Sequence, residues 1–125
     1  MRDIVLTDRG PKPIGPYSQA VKINGFLYVS GQVALDPKTN EFVGGDIRQQ
    51  TERVIENLRG IVEAGGSKLN HIVKTTVFLK NMDDFSAMNE IYGKYFSSTP
   101  PARSTVQVAR LPKDALVEIE VIAAL

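Results

Sequence analysis

Arg103 follows Pro100, Pro101 and Ala102, so a guanidinium is delivered from a stiff stretch of backbone. Its planar fork donates two parallel hydrogen bonds, which suits a substrate carboxylate. Glu118 and Glu120 stand two residues apart in Val117-Glu118-Ile119-Glu120-Val121. In a regular strand they share one face, about 7 Å apart. One could pair with the arginine while the other positions a water. The structural alternative is an ion pair from Arg103 to Glu118 or Glu120 on a neighbouring strand.

Two strands must carry these groups. Residues 99–125 read as a strand over about Arg103–Ala109, a turn at Leu111–Asp114, and a strand over about Leu116–Ala123. Pro100 and Pro101 cannot donate to a ladder and precede the first strand. Val117, Ile119 and Val121 alternate with Glu118 and Glu120. In the first strand, Val106 and Val108 oppose Arg103, Thr105 and Gln107. With the valines on the core, Arg103, Thr105, Gln107, Glu118 and Glu120 fall on one polar face. Phe26–Gln32 repeats the pattern: Leu27 and Val29 point one way, and Tyr28, Ser30 and Gln32 the other. The solvated side of a half-buried antiparallel sheet would look the same.

The remaining elements follow in order. Arg2–Thr7 and Ser18–Ile23 read as strands, separated by a loop punctuated by Gly10, Pro11, Pro13, Gly15 and Pro16. Asn24-Gly25 is a two-residue hairpin turn. Asp46 and Gln49 form a capping-box pattern ahead of Ile47, Thr51, Val54, Leu58, Ile61 and Val62 at helical spacing, and Gly65-Gly66 ends that helix. His71–Leu79 reads as a buried strand. Asn81 is the expected cap of a second helix whose apolar stripe is Phe85, Met88, Tyr92, Tyr95 and Phe96. The order predicts one α+β domain over residues 1–125, with two helices on one face of a mixed sheet and right-handed crossovers. Nothing remains to cover the other face, which suits either solvent or self-association around shared clefts.

Composition excludes several classes. The 125 residues carry a formal net charge of +1, which argues against a strongly electrostatic nucleic-acid or membrane partner. No apolar run is long enough to span a membrane, and residues 1–6 lack the apolar core of a signal peptide. Cysteine is absent, and His71 is the sole histidine, so no thiolate site, disulfide or clustered metal site is expected. Gly44-Gly45-Asp46 could cradle an anion at a helix start, but no lysine follows at phosphate-loop spacing. It reads as a helix-entry loop. A soluble, cytoplasmic protein is expected.

Several segments resemble one family. Ile14-Gly15-Pro16-Tyr17-Ser18-Gln19, Val29-Ser30-Gly31-Gln32, Lys74-Thr75-Thr76-Val77-Phe78, Pro101-Ala102-Arg103-Ser104, Val108-Ala109-Arg110-Leu111-Pro112 and Glu118-Ile119-Glu120 are similar to motifs of the RidA family (YjgF-type imine deaminases). The likeness runs collinearly over essentially the whole chain.

The resemblance implies a chorismate-mutase-like α+β fold, assembled as a homotrimer with ligand sites between subunits. It implies hydrolysis of 2-aminoacrylate/2-iminopropanoate and 2-iminobutanoate, released by pyridoxal-phosphate dehydratases, to 2-oxo acids and ammonia. Neither metal nor organic cofactor is required, because an iminium carbon is already electrophilic and water needs only placement and modest base help. Carried over by motif, Arg103 would hold the substrate carboxylate and Glu118 would hold or activate the water. Tyr17, Ser30, Gly31, Asn89 and Thr105 would line the cleft. Many members have cysteine where this chain has Thr105, so thiol-dependent behaviour is not carried over. Two other readings remain: a 2-oxo-acid-sensing or partner-binding trimer without turnover, and an RNA-cleaving translation inhibitor, against which the near-neutral charge weighs. The imine reading requires Arg103 and Glu118 to be delivered by adjacent strands to the same inter-subunit crevice. A monomer in solution, or the two side chains on opposite sides of the sheet, would end that case.

Overall fold

Strand β1 (Asp3–Val5) begins a computed structural model that describes residues 1–125. It pairs antiparallel with β2 (Ala20–Ile23), which turns through Asn24 (φ 53°) and Gly25 (φ 83°) into β3 (Phe26–Gln32). Both turn residues take the left-handed conformation that such a two-residue hairpin demands. Helix α1 (Ile47–Ala64) starts at the expected capping box: Asp46 accepts from the Gln49 amide, and Gln49 accepts from the Asp46 amide. Strand β4 (Ile72–Leu79), helix α2 (Phe85–Tyr95), β5 (Ala102–Gln107) and β6 (Val117–Ala124) complete the chain. Asn81 caps a 3₁₀ turn over Met82–Asp84 instead of α2 itself.

The six strands form one mixed sheet in the order β1-β2-β3-β6-β4-β5. Leu27, Val29, Val77, Leu79, Val117, Ile119 and Val121 meet Val54, Leu58, Ile61 and Val62 of α1 and Met88 and Tyr92 of α2 in one core. The expected α+β architecture, with both helices on one face, is what forms. The opposite face is uncovered and presents Ile4, Phe26, Tyr28 and Val106. No helix is long and apolar enough to cross a membrane.

Three expectations need correction. First, β5 and β6 are not neighbours in the sheet. β6 inserts between β3 and β4, and β5 lies parallel to β4 at the sheet edge. The parallel β4-α2-β5 unit wins because α2 carries the chain back to the start of the sheet before β5 begins.

Second, β5 faces the other way. The register aligns Arg103 with Thr75 and Val121, both buried under the helices, and aligns Val106 with Phe78 and Glu118 on the open face. Val106 is 43% exposed. An edge strand beyond the apolar centre of the helix layer has no oily surface waiting for its valines, so alternation does not reveal which side turns inward.

Third, the β3–β6 register shifts between Val29 and Gln32. A bulge places two residues opposite one and reverses the alternation beyond it. Gln32 is therefore buried opposite Ile119 instead of sharing a face with Tyr28.

Candidate functional site

Helix α2 carries one group of the candidate residues. Phe85, Asn89 and Tyr92 recur at i, i+4 and i+7 and form one stripe beside β5. Arg103 reaches across it. Its Nη1 donates to Asn89 Oδ1 at 2.8 Å, and its Cζ lies 4.7 Å from the Tyr92 ring centroid and 5.5 Å from that of Phe85. The chain forms four ion pairs, and Arg103 belongs to none of them. Two residues along the same face, the Thr105 hydroxyl oxygen is buried without a hydrogen-bond partner. A desolvated hydroxyl left unmatched costs about 1–3 kcal/mol.

Strand β6 and the β3 bulge carry a second group. Glu118, Glu120, Gly31, Ser30 and Tyr17 line a cleft of about 610 Å³. A Cβ on Gly31 would overlap the Glu118 carboxylate, so the missing side chain is what lets the acid lie against β3. Burial pushes the Glu118 pKa up, and the neighbouring Glu120 charge pushes it the same way. Glu118 also stands outside every ion pair. The Tyr17 hydroxyl accepts from the Ile14 amide at 3.2 Å. Ser30 donates its hydroxyl to the Ser18 carbonyl at 2.6 Å, so that proton is committed within the chain.

Gln19, only 1% exposed, holds the cleft wall. Its Oε1 accepts from the Thr7 amide at 2.7 Å, and its Nε2 donates to the carbonyls of Thr7, Gly10 and Pro11 at 3.0, 3.2 and 2.8 Å. No three histidine, cysteine, aspartate or glutamate side chains cluster as a metal site would need.

Tyr17, Ser30, Gly31 and Glu118 thus gather in one place, and Asn89, Arg103 and Thr105 in another. The two places lie on opposite faces of the sheet: Arg103 shares its face with Val121, and Glu118 shares its face with Val106. The single polar face expected from strand parity does not exist in one chain, and delivery of Arg103 and Glu118 by adjacent strands to one crevice fails: the two side chains stand on opposite sides of the sheet, the arrangement that ends that form of the imine reading. The Arg103–Glu118 and Arg103–Glu120 ion pairs fail for the same register, since β4 separates β5 from β6. Phe85, Tyr92 and Gln19 had no assigned site role in the sequence. The spacing of Phe85 and Tyr92 on α2 was visible, but it reads equally as core.

A family model described as Endoribonuclease L-PSP matches residues 7–125. The chain belongs to that family, the RidA (YjgF-type) family. A RutC family protein of Pyrococcus horikoshii is 54% identical, over 98% of both chains. A protein of Dermatophagoides farinae named 2-iminobutanoate/2-iminopropanoate deaminase is 47% identical, over 94% of this chain and 91% of its own. A crystal structure of a candidate endoribonuclease from Thermotoga maritima superposes with a TM-score of 0.97 at 52% identity, covering 100% of this chain and 98% of its own. RidA-family membership therefore stands on sequence and fold together, while the activities named among the relatives differ.

Proposed function

We propose that this RidA-family chain is a cofactor-independent imine deaminase that hydrolyses small 2-imino acids, 2-iminopropanoate and 2-iminobutanoate among them, to 2-oxo acids and ammonia. The observation that carries the reading is Arg103: a positioned guanidinium with no carboxylate partner, beside the unmatched hydroxyl of Thr105. Such a guanidinium fits the carboxylate common to these substrates. The D. farinae relative's name supports the same reaction class.

Because Arg103 and Glu118 occupy opposite faces, one chain cannot present both to one substrate. The site is completed by a second copy, whose Glu118 cleft meets the Arg103 edge of the first. The uncovered face with Ile4, Phe26, Tyr28 and Val106 supports assembly, and a cyclic homotrimer is the proposed form. Arg103 would hold the carboxylate. Glu118 would accept a proton from water as its oxygen bonds to C2 of the iminium, giving a carbinolamine. Proton return to nitrogen, cleavage of the C2–N bond and loss of the hydroxyl proton give the 2-oxo acid and ammonium. Iminium plus water thus balances 2-oxo acid plus ammonium.

Co-assembly of two disabled chains tests this directly. Arg103→Ala and Glu118→Ala each abolish accelerated 2-oxo acid release in a threonine dehydratase reaction. Mixed assemblies of the two regain about a quarter of the wild-type rate, because one interface in four pairs an intact arginine with an intact glutamate. No regain from mixed assemblies would refute the shared site. Ligand-induced thermal stabilisation by a 2-oxo acid without turnover would instead mark a sensor. Salt-sensitive RNA binding and cleavage would favour the activity in the family description, against the net charge of +1.

A further inference from the structure

A guanidinium meant for a ligand must be held still without being neutralised. An ion pair would fix it but consume its charge. Arg103 is fixed otherwise, by an amide oxygen of Asn89 and by aromatic rings. Of the two rings, Tyr92 is nearer and buried, whereas Phe85 is exposed.

Tyr92 is itself anchored in an informative place. Its hydroxyl shares a 2.7 Å hydrogen bond with Oγ1 of Thr75, and both residues are buried. Thr75 is the β4 residue registered directly against Arg103. The ring also packs on Phe96, centroid to centroid 4.6 Å. A loop of constraints closes: the Arg103 backbone sets Thr75, Thr75 sets the Tyr92 hydroxyl, and the Tyr92 ring sets the guanidinium. A core-filling phenylalanine would pack equally well; the hydroxyl is held by Thr75 and lies within reach of the Arg103 guanidinium itself.

We propose that Tyr92, tethered by Thr75, is a positioning residue that aims the Arg103 guanidinium at an anionic ligand while leaving its charge free. The inference rests on Arg103 being the carboxylate anchor of the proposed deaminase. Stacking on a partly desolvated ring contributes enough to matter for affinity, and the carboxylate contact is made equally in ground and transition states. Loss of positioning therefore raises KM and spares kcat.

The test uses full-length Tyr92→Phe, Thr75→Val and Tyr92→Leu, with 2-oxobutanoate and its uncharged amide as probes. The tether variants Tyr92→Phe and Thr75→Val weaken 2-oxobutanoate binding about 3- to 10-fold. Tyr92→Leu weakens it about 5- to 30-fold. Amide binding and kcat change less than about 2-fold. Nitrogen relaxation at Arg103 Nε reports added motion in the ligand-free variants, whatever the substrate proves to be. Should Tyr92→Leu fail to fold, the two tether variants decide. Wild-type rigidity at Arg103 together with wild-type 2-oxobutanoate binding in the folded variants overturns the proposal. Failure of the wild-type protein to bind 2-oxobutanoate sinks the deaminase reading, and the relaxation measurement still decides the role of Tyr92.

Discussion

Replacing Gly31 with alanine isolates the link between the β3 bulge and the acid on β6. The added Cβ would overlap Oε2, Cδ and Cγ of Glu118. Gly31 is not among the glycines with positive φ, so its backbone accepts alanine and overlap is the only penalty. The overlapping atoms are the far end of a flexible side chain, so Glu118 swings aside and the sheet survives. The global cost is about 1–2 kcal/mol, the lower part of the range for overpacking. For a domain of this size it lowers Tm by about 3–8 °C. The local cost is larger. A catalytic group displaced by about 1 Å loses about 100-fold in rate, or about 2.7 kcal/mol of transition-state stabilisation. Coupled dehydratase turnover reads the rate, and thermal unfolding at fixed protein concentration reads the stability. A double-mutant cycle then assigns the cause: on a Glu118→Ala background, Gly31→Ala adds no further rate loss. Full turnover by Gly31→Ala, or losses that simply add, would refute the coupling.

The raised pKa of Glu118 has opposite consequences for stability and rate. The native chain binds more protons than the unfolded chain just above the ordinary glutamate range, so stability falls as pH rises through that window; Glu118→Gln removes the fall, as pH-dependent urea unfolding would report. The ionised carboxylate is the proposed base, so turnover rises through the same window. Glu118→Gln lowers turnover more than 2-oxo acid binding, and equal losses would assign Glu118 to architecture. Gln19→Ala strips four hydrogen bonds from residues 7–11 and costs about 2–3 kcal/mol in urea unfolding, with faster amide exchange at Thr7; wild-type stability would show that the loop holds itself.

Much of the molecule was legible because the deciding interactions are local. The Asp46–Gln49 box, the Asn24-Gly25 turn and the buried alternation of Val117, Ile119 and Val121 each depend on residues a few positions apart. The motif resemblance supplied the expected site residues, and the structure places them in two groups, Tyr17, Ser30, Gly31 and Glu118 against Asn89, Arg103 and Thr105. The Arg103 cradle was hidden because Tyr92 at helical spacing looks like any core tyrosine until its hydroxyl meets Thr75.

Sequence alone determined the element order, the start of α1 and the alternation within β6, because backbone sterics and capping act over single turns. Tertiary structure decided which strands are neighbours, which side of β5 turns toward the helices, and that the bulge at Ser30-Gly31 turns Gln32 inward. Period-two alternation fixes side chains relative to one another along a strand, whereas the direction of the core is set by partners far away in the chain. For the same reason, the separation of Arg103 from Glu118 by the full sheet appears only once β4 lies between their strands.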